Sequence, residues 1–241
     1  MKLENIDNIK AIIFDYGATL DTQGIHWYNI FYSEEIKYFS YLSDSDLRQA
    51  YIYAERKVSK NRLIKEDFDF LQTLKLKVSL QVEYLVNNAL IDSQVQAPIE
   101  DIVQSCYAIA KKNTQKSSTT LKKLKDKYTL ALVSNFYGNL NAVLKDFGIK
   151  DYFDLVIESA KVGHSKPDNE IYNIAFRQLL LQPDQCAIVG DSYNKDIAVC
   201  KDLGCSTLWL KGKGWDDKQK IMSQKADCIV STLAQIEDIL I

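Results

Sequence analysis

The sequence predicts an α/β fold: a Rossmann-like, three-layer parallel-sheet core with an all-helical cap inserted after its first strand. Three observations carry this. Short unbroken apolar runs, of the kind that form strands buried on both faces, alternate with helical patterns in the second half of the chain. The stretch 22–114 has apolar residues at helical spacing and no such run. Polar residues stand directly after three of the runs.

The first run is Ala11–Phe14, ended by Asp15. Thr129–Val133, Ala187–Val189 and Thr207–Leu210 follow, with shorter candidates at Leu155–Ile157 and Cys228–Val230. Helices are expected at Thr119–Lys127, Leu140–Phe147, Asn169–Leu181, Lys195–Leu203, Asp217–Lys225 and Leu233–Leu240. Gly148 and Gly204 follow two of them, where a C-terminal cap takes a left-handed conformation. Strands alternating with helices imply a parallel sheet covered on both faces.

In the insertion, Ile30, Tyr32, Ile36, Tyr38 and Phe39 mark one helix, and Leu47, Ala50, Tyr51 and Ala54 a second, with Ser43 or Ser45 as its cap. Phe68, Leu71, Leu74, Val78, Val82 and Leu85 predict one or two more, and Ile102, Val103, Cys106, Tyr107 and Ala110 a last. The domains then run 1–21 with 115–241 for the core and 22–114 for the cap.

Bulk composition narrows the function. Hydrophobic residues at 46% and charged residues at 26% suit a folded globular protein. A net charge of −2 with interleaved signs lacks the basic stripe of a nucleic-acid binder. Five cysteines, an odd number without C-x-x-C spacing, predict neither disulfides nor structural zinc. Residues 1–8 lack the apolar stretch of a signal peptide, and no run is long enough to span a membrane. A cytoplasmic protein is expected.

Asp15, Ser134-Asn135 and Gly190-Asp191 each follow a strand. In parallel α/β sheets ligands bind at the carboxyl ends of strands, so these groups are expected to meet in one crevice. One Asp after a strand is an ordinary turn residue; three polar groups at three ends are not.

Four segments resemble the haloacid dehalogenase superfamily, in its order. They are Phe14-Asp15-Tyr16-Gly17-Ala18-Thr19-Leu20-Asp21, Val133-Ser134-Asn135, Lys166 within His164-Ser165-Lys166-Pro167-Asp168, and Gly190-Asp191-Ser192-Tyr193-Asn194-Lys195-Asp196-Ile197. The resemblance covers about 8–21 and 115–241, and the insertion falls where that family places its helical cap. It implies a Mg²⁺-dependent hydrolase, a phosphatase first of all, acting on a small phosphorylated metabolite. Asp15 would be the nucleophile that forms an aspartyl-phosphate. Asp15, Asp191 and the Gly17 carbonyl would hold Mg²⁺, a hard cation suited to oxygen ligands. Asp196 would be a further ligand or a group behind the ligands. Ser134 and Lys166 would act in catalysis, and Thr19, Ser134, Asn135 and Lys166 would bind the phosphate.

One position departs from the pattern. Many phosphatases of the superfamily carry a second Asp two residues after the nucleophile as general acid and base; here Gly17 stands there, and Asp21 reads as a hinge residue. The alternatives are a phosphonate-cleaving or other non-phosphatase member, or a catalytically weak phosphate- and metal-binding regulator. A phosphonatase would need a cap lysine, for which Lys37, Lys57, Lys60 and Lys65 are present. A dehalogenase fits less well, because its chemistry needs no metal carboxylates. In the aromatic-rich cap, His26 and Trp27 stand nearest the hinge and are candidates for substrate contact. No nucleic-acid or membrane partner is expected, and the chain is expected to work as a monomer or homodimer.

Overall fold

The computed structural model describes residues 3, 6–92, 98–215 and 226–241. In order, its elements are β1 (Ala11–Phe14), α1 (Trp27–Glu35), α2 (Asp44–Asn61), α3 (Phe70–Asn87) and α4 (Ile99–Lys125), then β2 (Thr129–Ser134), α5 (Leu140–Asp146), β3 (Leu155–Glu158), α6 (Ser159–Val162) and α7 (Glu170–Leu179). They continue with β4 (Cys186–Gly190), α8 (Ala198–Leu203), β5 (Ser206–Leu210), β6 (Cys228–Val230) and α9 (Ala234–Leu240). The helix expected at Asp217–Lys225 lies outside the described residues.

All six strands pair in parallel, in the order β3-β2-β1-β4-β5-β6. Both shorter candidates are therefore real strands, at opposite edges. Side chains alternate across the sheet as a period of two requires. Ile12, Phe14, Leu130, Leu132 and Val189 join the core under α4, α5 and α9. Ala11, Ile13, Ala131, Val133 and Ile188 join a second core with residues of α7 and α8. Helix, sheet and helix make the three layers. β1 lies between β2 and β4, with Ile13 opposite Ala131 and Ile188, so the residues leaving these three strands emerge side by side.

Four helices occupy the insertion among its described residues. Ser43 caps α2, with Asp46 completing a capping box, two residues earlier than a cap at Ser45 would give. One helix, α3, accounts for the pattern from Leu71 to Leu85, with Asp69 as its cap and Phe68 just before it. The largest difference from expectation is α4. The helices expected near Ile102–Ala110 and Thr119–Lys127 form one helix, and the boundary drawn at 114/115 falls inside it. Its buried stripe runs Ile102, Cys106, Ala110, Thr114, Ser117, Leu121, Leu124, so the middle of the stripe is small and polar and reads as a break. Those polar residues fasten the hinge: Ser117 Oγ donates to Leu20 O at 2.6 Å and accepts from Gln23 Nε2 at 2.8 Å.

The start of α8 also differs. Residues Tyr193–Ile197 form one turn of π-helix before Ala198. π-turns gather at functional positions, and this one carries Asp196.

Candidate active site

The Asp15 amide extends the β1–β4 ladder by donating to Val189 O at 2.9 Å, which fixes the residue at the sheet's carboxyl edge. Ser134 Oγ, on the neighbouring strand, donates to Asp15 Oδ1 at 3.0 Å. Lys166 Nζ donates to the same oxygen at 2.6 Å, to Asp196 Oδ1 at 2.6 Å and to Val133 O at 3.1 Å. All three lysine donors are therefore engaged, two of them on carboxylates.

Asp15, Asp191 and Asp196 each offer a carboxylate oxygen within 4.8 Å of the others. Three carboxylates around one ammonium leave an excess of negative charge in a buried place. Burial pushes the Asp15 carboxyl above its ordinary range, opposed by Lys166. Burial pushes Asp191 far up, helped by Asp15 and Asp196. Burial alone would lower the Lys166 ammonium, but the two carboxylates outweigh it and hold it above its usual value. Such a cluster suits an oxygen-loving divalent cation, which would supply the missing positive charge.

Within the cluster the carboxylates are not equivalent. Asp196 has no exposed surface and accepts from Lys166 Nζ, Tyr172 OH (2.9 Å) and Ser192 N (3.1 Å). Its packing admits no side chain at Gly190, where a Cβ would lie 2.5 Å from the Asp196 carboxylate. Asp191 is partly exposed and lines a cavity with Asp15 and Gly17.

Two residues expected to bind phosphate are engaged elsewhere. Thr19 is fully buried; its hydroxyl lies 3.4 Å from Asp15 Oδ2 and 3.3 Å from Asp191 Oδ1 and accepts from Asp191 N at 3.1 Å. It ties the two carboxylates together and has no surface to offer a substrate. Asn135 reaches the cavity, but its amide makes a reciprocal pair with the Lys166 backbone, at 2.9 and 2.8 Å. It positions Lys166. Asp21 accepts from Ala18 N and Trp27 Nε1, both at 2.7 Å, and so joins the Asp15 loop to α1. Burial pushes its carboxyl up to about 7.

The cavity measures about 750 Å³ and extends from Asp15 into the cap. Such volumes are ordinary for small-molecule sites, at roughly 300–1,000 Å³. His26 and Trp27 both line it. His26 Nδ1 accepts from Tyr28 N at 3.2 Å, capping α1, and burial lowers its pKa to about 4, so the ring is neutral. His164, by contrast, is exposed and bonds Asp168.

The cavity's cap end holds residues that the sequence reading passed over: Glu55 on α2, Lys77 on α3, Tyr137 after β2 and Trp215. Lys77 carried a signal, since it falls in the apolar stripe of α3 between Leu74 and Leu80, and a lysine there is buried. The lysines named beforehand lie elsewhere. Lys37 pairs with Glu34 and is exposed, Lys57 pairs with Glu83 and is partly exposed, Lys65 sits over Phe68, and Lys60 lines a separate surface groove.

The haloacid dehalogenase-like hydrolase model matches residues 9–204, from β1 through α8. The chain belongs to this family. The phosphoglycolate phosphatase of Vibrio vulnificus is 33% identical over 124 residues, 51% of this chain and 54% of that protein. Pyrimidine 5'-nucleotidase YjjG of Escherichia coli is 31% identical over 114 residues, 46% of this chain and 49% of that protein. The chain thus spans about half the length of these curated relatives, and a third of some others. A HAD phosphatase from Thermococcus onnurineus shares the fold over 96% of this chain and 98% of its own, with a TM-score of 0.54 and 21% identity. Family members are hydrolases, and the Asp15 cluster lies within the matched residues.

Proposed function

We propose that this chain is a Mg²⁺-dependent phosphatase acting on a small phosphorylated metabolite through an aspartyl-phosphate on Asp15. The observation that carries the reading is the Asp15 carboxylate. It stands at the floor of a cavity, held by Ser134 and Lys166, beside a partly exposed Asp191. The names of two relatives, a phosphatase and a 5'-nucleotidase, support it.

In this reading one Asp15 oxygen attacks phosphorus, an Asp15–phosphorus bond forms, and the bond to the leaving oxygen breaks. Lys166 and Ser134 orient the carboxylate and face the charge that gathers on the phosphoryl group. Water then attacks phosphorus, releasing phosphate and restoring the carboxylate. Asp15, Asp191 and the Gly17 carbonyl would hold Mg²⁺, which supplies charge neutralisation and Lewis acidity when bound. Asp196 serves behind them by holding Lys166. Gly17 leaves the departing alkoxide to take its proton from water.

The phosphonate-cleaving alternative gains a cap lysine in Lys77 but loses on its chemistry. Schiff-base attack needs a neutral amine. Burial would lower Lys77, but Glu55 and Tyr51 outweigh it and the ammonium is held above its usual value. No described helix is long and apolar enough to cross a membrane. We also propose that the protein works in the cytoplasm, as a monomer or homodimer without nucleic acid.

Hydrolysis of p-nitrophenyl phosphate and a panel of phosphate monoesters, with and without Mg²⁺, tests the reading. Turnover should require Mg²⁺ and vanish in Asp15→Asn. Turnover that survives that substitution refutes the nucleophile; none with any ester favours a binding protein.

A further inference from the structure

The cap end of the cavity holds a closed polar triangle. Lys77 Nζ lies 2.5 Å from Glu55 Oε1 and donates to Tyr137 OH at 3.1 Å, while Tyr137 OH donates to Glu55 Oε2 at 2.7 Å. Rings surround it: the Lys77 ammonium stands 5.4 Å from Phe31, 5.7 Å from Tyr51 and 5.3 Å from Tyr137. Tyr51, Phe70 and Trp215 extend the aromatic lining toward Asp15.

A buried ion pair adds little to stability, because the cost of desolvating two charges offsets their attraction; apolar residues of similar size often do better. Its place inside the chamber that holds Asp15 gives it another use. Lys77 and Glu55 neutralise each other, so a ligand arriving between them meets no net charge. A carboxylate would gain from Lys77 but be repelled by Glu55. An ammonium has the converse difficulty. A neutral group with an acceptor beside a donor satisfies both. An ammonium has three donors, of which one goes to Tyr137 and one faces Glu55 Oε1 across the ion pair. The Glu55 carboxylate has about four lone-pair sites, of which one accepts from Tyr137, and Oε1 has no hydrogen-bond partner among the described residues. One free donor therefore stands beside free acceptor capacity, and the flanking rings favour a flat partner.

We propose that Lys77, Glu55 and Tyr137 form the leaving-group subsite, and that it takes a neutral planar heterocycle presenting a carbonyl next to an N–H. The substrate class is then a phosphate monoester of an alcohol bearing such a ring, as in a pyrimidine nucleoside monophosphate, and not a small phosphorylated acid. The subsite rests on the phosphatase reading only for the phosphate end of that molecule.

Calorimetric titration of the full chain with uridine, 3-methyluridine and glycolate tests it. Uridine has the carbonyl–NH edge, methylation blocks the N–H, and glycolate is a small acid. The intact protein should bind uridine, bind 3-methyluridine about tenfold more weakly, and bind glycolate below detection, as expected when a buried polar group loses its partner. Glu55→Gln leaves the Lys77 charge uncompensated and should gain glycolate binding, which a merely structural Glu55 would not produce. Absent uridine binding, equal affinity for the two nucleosides, glycolate bound as well as uridine, or a Glu55→Gln protein unchanged in preference each overturns the subsite. Should Glu55→Gln not fold, the nucleoside pair on the intact protein decides alone. Uridine carries no phosphate, so a protein that binds it yet hydrolyses no ester refutes the phosphatase and leaves the subsite standing.

Discussion

Replacing Lys166 by Met should expose how much of this site is held by one ammonium. Lys166 is buried and joins Asp15 and Asp196 at 2.6 Å each. Methionine keeps most of the volume and removes the charge, leaving two buried carboxylates with Asp191 nearby and no cation among them. Removing one partner of a buried pair costs about 3–5 kcal/mol. For a chain of this size each kcal/mol lowers Tm by about 2–4 °C, so the metal-free variant should melt about 6–20 °C below the parent. Mg²⁺ should restore more to the variant than to the parent, because the cluster has lost its competing cation while keeping its carboxylates. Urea unfolding in chelator and in saturating Mg²⁺, for both proteins, gives the four numbers needed. A metal-free variant within about 1 kcal/mol of the parent would refute the charge argument, since surface-like changes fall in that range. Equal Mg²⁺ increments would refute the shared site.

Gly17→Asp should raise turnover, since a Cβ there meets nothing within 4 Å and the position lines the cavity. General acid–base help is typically worth about 10²–10⁴-fold, and single-turnover rates would show it; no gain would mean that the leaving oxygen already has a proton donor. Glu35 is buried in the cap, facing Cys106 on α4, and burial alone pushes its carboxyl up to about 8 from an ordinary 4.5. Between those values the folded chain keeps a proton that the unfolded chain releases, so stability should fall as pH rises through that window and level off above it. Glu35→Gln should flatten that part of the profile, and urea midpoints from pH 5 to 9 would show a slope that persists if the cause lies elsewhere.

The parts of this molecule that sequence made legible are those fixed by local geometry. A buried parallel strand needs an unbroken apolar run, and the residue after it must leave the sheet at the carboxyl edge. That is why Asp15, Ser134 and Asp191 are legible in the sequence as neighbours at one edge of the sheet. Thr19 and Asn135 stand in the expected loops, Thr19 bridging two carboxylates and Asn135 holding the Lys166 backbone. Whether a hydroxyl faces a substrate or bridges two carboxylates depends on rotations of an ångström or two, which residue order does not record. The continuity of α4 was hidden for a different reason. Its middle turns bury Thr114 and Ser117 to hold the hinge, and polar residues on a buried stripe imitate a loop.

The cap illustrates the deeper limit. Lys77 and Glu55 lie on different helices, and their meeting depends on how α2 packs against α3 and how that pair settles over β1. The settling is enforced from the core. Gly24 and Gly212 approach backbone to backbone, so closely that neither admits a Cβ without a clash or strain. Just beyond, Lys213 O accepts from His26 N at 2.8 Å and Trp215 O from Arg48 at 3.2 Å. The segment after β5 therefore anchors the cap with its polar triangle facing the nucleophile. The acidic floor suits a divalent cation, while the roof pairs Lys77 with Glu55. The proposed preference for a neutral leaving group rests on that pairing of α2 with α3, which no single motif encodes.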